Sequence, residues 1–536
     1  MKEPYAVTGY FVVPTSDHCT WRRQLESIHS VGGDTVIRIG TGLQPRRVDE
    51  DGRVLDKAGE APDPRYEACV EEEQTCVQAA EADLKAANPD NRITWTYAYR
   101  TDEAFGPGLF RCPGMEHTIR VGKVVYYRVI APDDGSDSAS CDYAKRGRGY
   151  HLILIQAAVT DSLTELLDLA DQFGMRVFPA LPLAPRDPVS PTKANPRHIG
   201  TLTTLTRRIL QDYGDRFRDR ASFGGVYQPF EVQLRGWSDP SKVPTLQVYA
   251  EQHLIVQQEL PGKPILISPY IDARRKVAFG ATPSQVKRGF EALARTGVGI
   301  IAPQDGRGTG KGALFWPNWK QRAVDERLRP EVGDTTYDKA YLGGTRDYYR
   351  AMAAARDELK EENINVELWA NVEAFEPTGE VACGGGSRGQ TDKARLDSAV
   401  ALAGPYVSKV ISYMWSNFYT CGSPSLAEQL ATDWERPIAI EGRHQPRDIQ
   451  DGLEIRGYHL YGAKVTLSWY GLDAPHVIDS STIGWFDPSP LPGLPAAVER
   501  LWVPFDWSAV EKGTWLRVDV TSPAGQKAFQ SVYTRF

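Results

Sequence analysis

Gly-Gly-Val-Tyr-Gln-Pro-Phe-Glu, residues 224–231, is a short apolar run that closes on a glutamate and gives way to a helical pattern from Pro244. The arrangement recurs in Val-Glu-Leu-Trp-Ala-Asn-Val-Glu, 366–373. Runs of Val and Ile without polar alternation suit strands buried on both faces of a parallel sheet. Outward from these two, eight strand–helix units can be counted. The strands are expected at Ala6–Pro14, Asp34–Gly40, Met175–Leu181 and Gly224–Glu231, then at Pro264–Tyr270, Gly297–Gln304, Asn365–Glu373 and Val407–Trp415. Their helices are expected at Trp21–Val31, Ser162–Phe173, Ile199–Tyr213 and Pro244–Glu259, then at Pro283–Arg295, Gly344–Lys360, Thr391–Leu402 and Ser425–Thr432. No Gly-x-Gly-x-x-Gly follows the first strand, so an open doubly wound sheet is disfavoured. Eight units predict an α/β fold, a (β/α)8 TIM barrel, in which Glu231 and Glu373 close strands four and seven.

Two stretches fall outside the alternation. Residues 41–160 interrupt the second unit and carry β-like runs at Ile93–Tyr99, Thr118–Ile130 and Tyr150–Val159. They predict a β-rich, Cys-containing insertion standing over the active-site face. Beyond about Glu435 the helical period disappears, and short runs between Pro/Gly links predict an all-β sandwich. The expected division is therefore a catalytic barrel over 1–434, with the insertion at 41–160, and an accessory sandwich over 435–536.

Composition narrows the partners. The 536 residues are 41% hydrophobic, enough for a sizeable core, and carry a net charge of −7, which leaves no basic footprint for nucleic acid. No apolar run reaches the roughly 18 residues of a membrane span. Of seven cysteines, Cys69, Cys76, Cys112 and Cys141 lie in the insertion, while Cys383 and Cys421 follow the last two barrel strands. Loop cysteines so placed predict disulfides and a secreted protein, the alternative being free thiols in the cytoplasm. No metal-binding spacing is present, and Gly306-Arg-Gly-Thr-Gly-Lys311 lacks the spacing of a phosphate loop, so no cofactor is expected. Gly384-Gly-Gly386 is read as a flexible loop.

The chemistry rests on paired carboxyl groups. Glycoside cleavage needs one to protonate the departing oxygen and another to attack the anomeric carbon or activate water. Glu231 is assigned as general acid/base and Glu373 as nucleophile, with Glu376 as the rival of Glu373. Arg38, Tyr270, Gln304, Asp305, Trp369, Asn371, Glu376, Trp415 and Asn417 fall near the strand ends and are expected to bind substrate. Aromatic faces suit the C–H patches of sugars, and amides suit their hydroxyls. The ligand expected is a carbohydrate polymer or oligosaccharide.

Several strings at these strand ends resemble a known family: Gly9-Tyr-Phe, Asp34-Thr-Val-Ile, Gly225-Val-Tyr-Gln-Pro-Phe-Glu231, Ile267-Ser-Pro-Tyr270, Ile301-Ala-Pro-Gln-Asp-Gly306 and Leu368-Trp-Ala-Asn-Val-Glu-Ala-Phe-Glu376. They resemble a bacterial glycosidase-like TIM-barrel family catalogued as domain of unknown function 4434. The resemblance covers Tyr5 to about Thr432, apart from most of 41–160, and implies the barrel but no substrate. In the wider glycosidase clan an Asn precedes the strand-four acid, where this chain has Phe230; Asn371 or Asn417 is the candidate to hold a sugar 2-hydroxyl instead. The expected activity is a retaining glycoside hydrolase with carboxyls about 5–5.5 Å apart. The alternatives are a non-catalytic polysaccharide-binding barrel, a transglycosylase on the same scaffold, or a lyase with Tyr270 and Arg38 as candidates.

Overall fold

The structure is a computed structural model describing residues 4–137, 141–145, 147–381, 383 and 386–535. Gly384 and Gly385, of the loop expected to be flexible, lie outside the described residues. Eight parallel strands form one sheet: β1 (Gly9–Val12), β2 (Thr35–Arg38), β3 (Arg176–Pro179), β4 (Val226–Gln228), β5 (Ile265–Ile267), β6 (Ile300–Ile301), β7 (Glu367–Glu373) and β8 (Lys409–Tyr413). Each neighbours the next in chain order, and β8 returns to β1 with Ile411 opposite Gly9. Between β3 and β4 the ring is joined by parallel bridges Val177–Phe223 and Ala180–Tyr227. Phe11, Ile37, Phe178, Tyr227, Leu266, Ile300, Trp369 and Ile411 fill the interior.

The helices that wrap the barrel are α1 (His18–Ser30), α2 (Ser162–Phe173), α3 (Ile199–Phe217), α4 (Pro244–Glu259), α5 (Pro283–Ala294), α6 (Thr345–Glu361), α7 (Lys393–Ala403) and α8 (Leu426–Thr432). Local chemistry sets their ends. Asp161 accepts the Leu163 N–H at the start of α2, and Gly174, at φ +65°, stops it in the left-handed region. Four strands are shorter than expected because Pro179, Pro229, Pro269 and Pro303 donate no N–H to a ladder. Glu231, Tyr270 and Gln304 therefore do not end strands; they stand in the loops just beyond them. Glu373 does end β7.

The stretch between β2 and α2 folds as a five-stranded sheet in the order Gln44–Arg46, Arg92–Arg100, Gly149–Ala158, Val124–Pro132, His117–Val121. The run expected as one strand over Thr118–Ile130 is a hairpin, turning at Gly122, φ +59°. Its side chains alternate by face. Ala98, Tyr126, Leu152 and Leu154 pack under a helix, Cys76–Ala87, that the β-rich reading did not include. Tyr97, Tyr127, Ile153 and Ile155 join the barrel core. Polar contacts follow α3 along its length: Tyr97 to His198 (3.0 Å), His151 to Thr201 (2.7 Å), Arg208 to Asp137 (3.0 Å) and the Gly106 N–H to Asp212 (2.8 Å). The sheet thus lies along α3.

After α8 come two four-stranded antiparallel sheets. One runs Ile438–His444, Gly452–Tyr458, Glu499–Pro504, Trp485–Asp487; the other His476–Asp479, Lys464–Ser468, Trp515–Thr521, Val532–Arg535. Leu453, Ile455, Val465, Leu467, Leu501 and Val518 share one core with Trp316 and Leu402 of the barrel. Disulfides join Cys69 to Cys76, Cys112 to Cys141 and Cys383 to Cys421, and Cys19 is free and exposed. Among the described residues no helix is long and apolar enough to cross a membrane.

Candidate active site at the barrel mouth

Pro229 turns the chain out of β4, and Glu231 emerges exposed at the C-terminal rim of the barrel. Gln304, brought over from the end of β6, donates from Nε2 to Glu231 Oε1 at 3.1 Å and to the Ser268 carbonyl at 3.1 Å. Four phenols surround this carboxylate. Burial first, and then the charge of Glu231, raises the pKa of Tyr227, Tyr249 and Tyr413. Tyr270 is raised by burial, then by Asp272 and Glu231. The Lys311 ammonium lies 4.1 Å from the centre of the Tyr270 ring, a cation–π contact at the same rim.

Glu373 is a different kind of carboxyl. It is 2% exposed and accepts the Gly308 N–H at 2.6 Å. That donor is supplied by the glycine-rich turn after β6, where Gly306 and Gly310 adopt φ of +69° and +71°. A Cβ at residue 308 would fall 2.7 Å from the Phe375 ring and carbonyl, so only glycine lets the turn approach. Burial, then the neighbouring Asp305 carboxylate, pushes Glu373 up to about 8, against the pull of Arg395 and the Gly308 N–H. Asp305 is also raised, by its own burial. The two buried carboxyls influence each other's titration, and burial favours the protonated form of each. Burial first, then the charges of Glu231 and Glu373, raise the pKa of the Tyr413 phenol, so it lies near both acids.

Glu376, the rival of Glu373, belongs to the framework. It is fully buried among Arg307, Arg395 (2.9 Å), Arg327 (3.3 Å) and the Thr391 hydroxyl (2.9 Å). Arg395 also donates to the carbonyls of Glu373 (2.6 Å) and Phe375 (2.7 Å), fixing the backbone at the end of β7. Asn371, buried one step below Glu373, donates to Ser268 Oγ at 2.8 Å. Its Oδ1 has no partner among the described residues. Asn417 lies partly exposed just past β8, accepting from the Ser416 hydroxyl at 3.0 Å.

Three residues expected to bind substrate stand elsewhere. Arg38 points away from the barrel interior and pairs with Asp102 and Glu103 of the five-stranded lobe. Trp369 faces inward, but at the floor, where its indole N–H donates to Glu367 at 2.8 Å and Lys409 approaches its ring. Trp415 is buried in a cluster with Tyr10 and Tyr419, at centroid distances of 4.8 and 4.6 Å, and offers no platform. The reading of sequence passed over Lys311, Gly308 and Arg395. Only the glycine spacing of 306–312 hinted at a turn that approaches another backbone.

A closed (β/α)8 barrel with carboxyl groups gathered at the C-terminal ends of its strands is the class of molecule that fold and site define. Within it, the chain belongs to the DUF4434 family, a domain of unknown function whose model matches residues 146–428. A second such family, DUF8405, matches 56–157, within the lobe. No curated protein matches the chain. Among solved structures it is similar to a protein of Bacteroides thetaiotaomicron provisionally assigned as an alpha-L-fucosidase, at 13% identity and TM-score 0.39, covering 81% of this chain and 92% of that one. The endo-beta-1,4-mannanase of Thermotoga petrophila gives 9% and 0.37, over 100% and 98% of the two chains. A beta-galactosidase of Marinomonas ef1 gives 10% and 0.34, over 76% and 54%. Likenesses of this size carry nothing about substrate or mechanism.

Proposed function

We propose that the barrel is a glycoside hydrolase acting on a carbohydrate polymer or oligosaccharide, with Glu231 and Glu373 as its working pair. The observation that supports this is the contrast between the two. Glu231 is open at the mouth, whereas Glu373, at the end of β7, is held protonated up to about pH 8. Carboxyls in unlike surroundings, one open to solvent and one buried, suit acid and base roles. The raised proton affinity of Glu373 favours it as the acid, which leaves Glu231 as the nucleophile or base, the reverse of the assignment made from sequence. Gln304 orients Glu231, the partly exposed Asn417 is available for sugar hydroxyls, and Tyr270 and Tyr413 supply ring faces. Three disulfides support an oxidising, extracytoplasmic location.

The test is turnover on a panel of polysaccharides, with the product anomer followed by NMR to separate retention from inversion. Glu231→Gln and Glu373→Gln are each expected to lower kcat by about 10²–10⁴-fold while leaving the fold and ligand binding in place. A second reading, a barrel that binds polysaccharide without cleaving it, is favoured by the burial of Glu373 beneath Gly308. Under it the wild type binds without turnover and both variants behave alike. The lyase reading loses the cation it relied on, since Arg38 is engaged with the lobe.

A further inference from the structure

On leaving α8 the chain passes through Asp433-Trp434-Glu435 before entering the first sandwich strand, and Trp434 and Glu435 line a cleft of about 500 Å³. That volume falls within the roughly 300–1,000 Å³ of small-molecule sites. His459 and Tyr461, of the turn 459–462, line it too. His459, at φ +54°, and Gly462, at φ +63°, are both left-handed, so the turn lifts Tyr461 clear of the sheet and leaves it 73% exposed. A non-glycine residue held there costs conformational energy that packing elsewhere must offset. The aromatic rings that line it come as two edge-to-face pairs in contact. Tyr461 meets Phe486 at 5.2 Å and 74°, and Trp434 meets His459 at 5.2 Å and 84°.

The polar groups between these rings are mostly acceptors. Glu435 is exposed at the rim. Glu499 lines the cleft from below, one of its oxygens accepting the Leu460 N–H at 2.6 Å. Gln526 is anchored to Asp433 at 2.8 Å. Burial holds the His459 imidazole neutral, its pKa lowered to about 4, so it adds no positive charge. Carboxylates facing the cleft repel an anion, and ring faces separated by acceptors suit a molecule with C–H patches and many hydroxyl donors.

We propose that this cleft, at the junction of barrel and sandwich, is a binding site for a neutral oligosaccharide, with Tyr461 and Trp434 as its stacking faces. The site is distinct from the barrel mouth and does not require the barrel to be catalytic. It is tested by calorimetric titration of the full chain carrying Glu231→Gln, with cellohexaose, mannohexaose and xylohexaose, and with a galacturonate oligomer and a glucosamine hexamer as anionic and cationic probes. The expected result is saturable binding of at least one neutral hexaose. Tyr461→Ala, a change at an exposed position, is expected to weaken it about tenfold, the loss of one ring contact. Absence of neutral binding, neutral binding that survives Tyr461→Ala, or binding of a charged probe alone overturns the proposal. A barrel that proves to have no turnover leaves this outcome unaffected.

Discussion

Glu373 sets burial and a neighbouring carboxylate against a backbone N–H and an arginine, and burial prevails. The sign of its effect on stability follows. The folded state keeps the proton up to about pH 8, whereas the unfolded chain releases it near the ordinary value of 4.5. Between those limits the unfolded state binds fewer protons, so the contribution of Glu373 to stability is full below about pH 4.5 and is lost as pH rises towards 8. Glu373→Gln imitates the protonated form and removes the titration. Its Tm measured across this window should therefore fall less steeply than that of the wild type; parallel profiles would show that Glu373 ionises normally. Of the residues named from sequence, Glu231, Tyr270 and Gln304 gather at the rim because each follows directly on a short parallel strand. Trp369 shows what strand parity leaves open. It shares the face of Glu373, but four residues along a strand is about 13 Å, the difference between floor and mouth. Arg38 was expected to bind substrate, but its partners Asp102 and Glu103 come from a lobe whose folding no local pattern reveals.

At the level of elements, the helices were the most readable parts. Ser162–Phe173 and Pro244–Glu259 are found at their expected bounds, because an Asp cap with a C-terminal glycine fixes one and a first-turn proline starts the other. Strands were overextended wherever a proline cut the ladder short. The turn 306–312 was legible only as what it is not, a phosphate loop. Its role is set by tertiary contact: Gly308 offers its N–H to Glu373 while lying against Phe375. Gly308→Ala should force that turn away from β7 and cost about 1–3 kcal/mol, as overpacking does. Denaturant unfolding measures the cost, and an unchanged midpoint would mean that the turn yields freely. The same substitution removes a donor from Glu373 and should raise its pKa further, visible as a basic shift in any pH profile that depends on it.

For the molecule as a whole, the alternation of strands and helices was legible and the position of the lobe was not. Composition marks 41–160 as a folded insertion, but only the structure shows it laid along α3, held by a sheet face and by Arg38, Arg208 and Arg216. That placement bears on how the chain reaches its native state. Thr35 pairs directly with Arg176, so β2 and β3 cannot meet until everything between them has been gathered in. Closing so long a loop from a disordered coil is slow, because the entropy is lost before any ladder bond compensates. A hairpin, a helix and two disulfides within the lobe are by contrast local. Pulse-labelled hydrogen exchange during refolding, with the disulfides intact, should show lobe amides such as those of Val124–Pro132 protected before those of β2 and β3; the opposite order would refute this sequence of events. On this view the lobe works as a splint, setting first and drawing the two ends of the broken barrel into register.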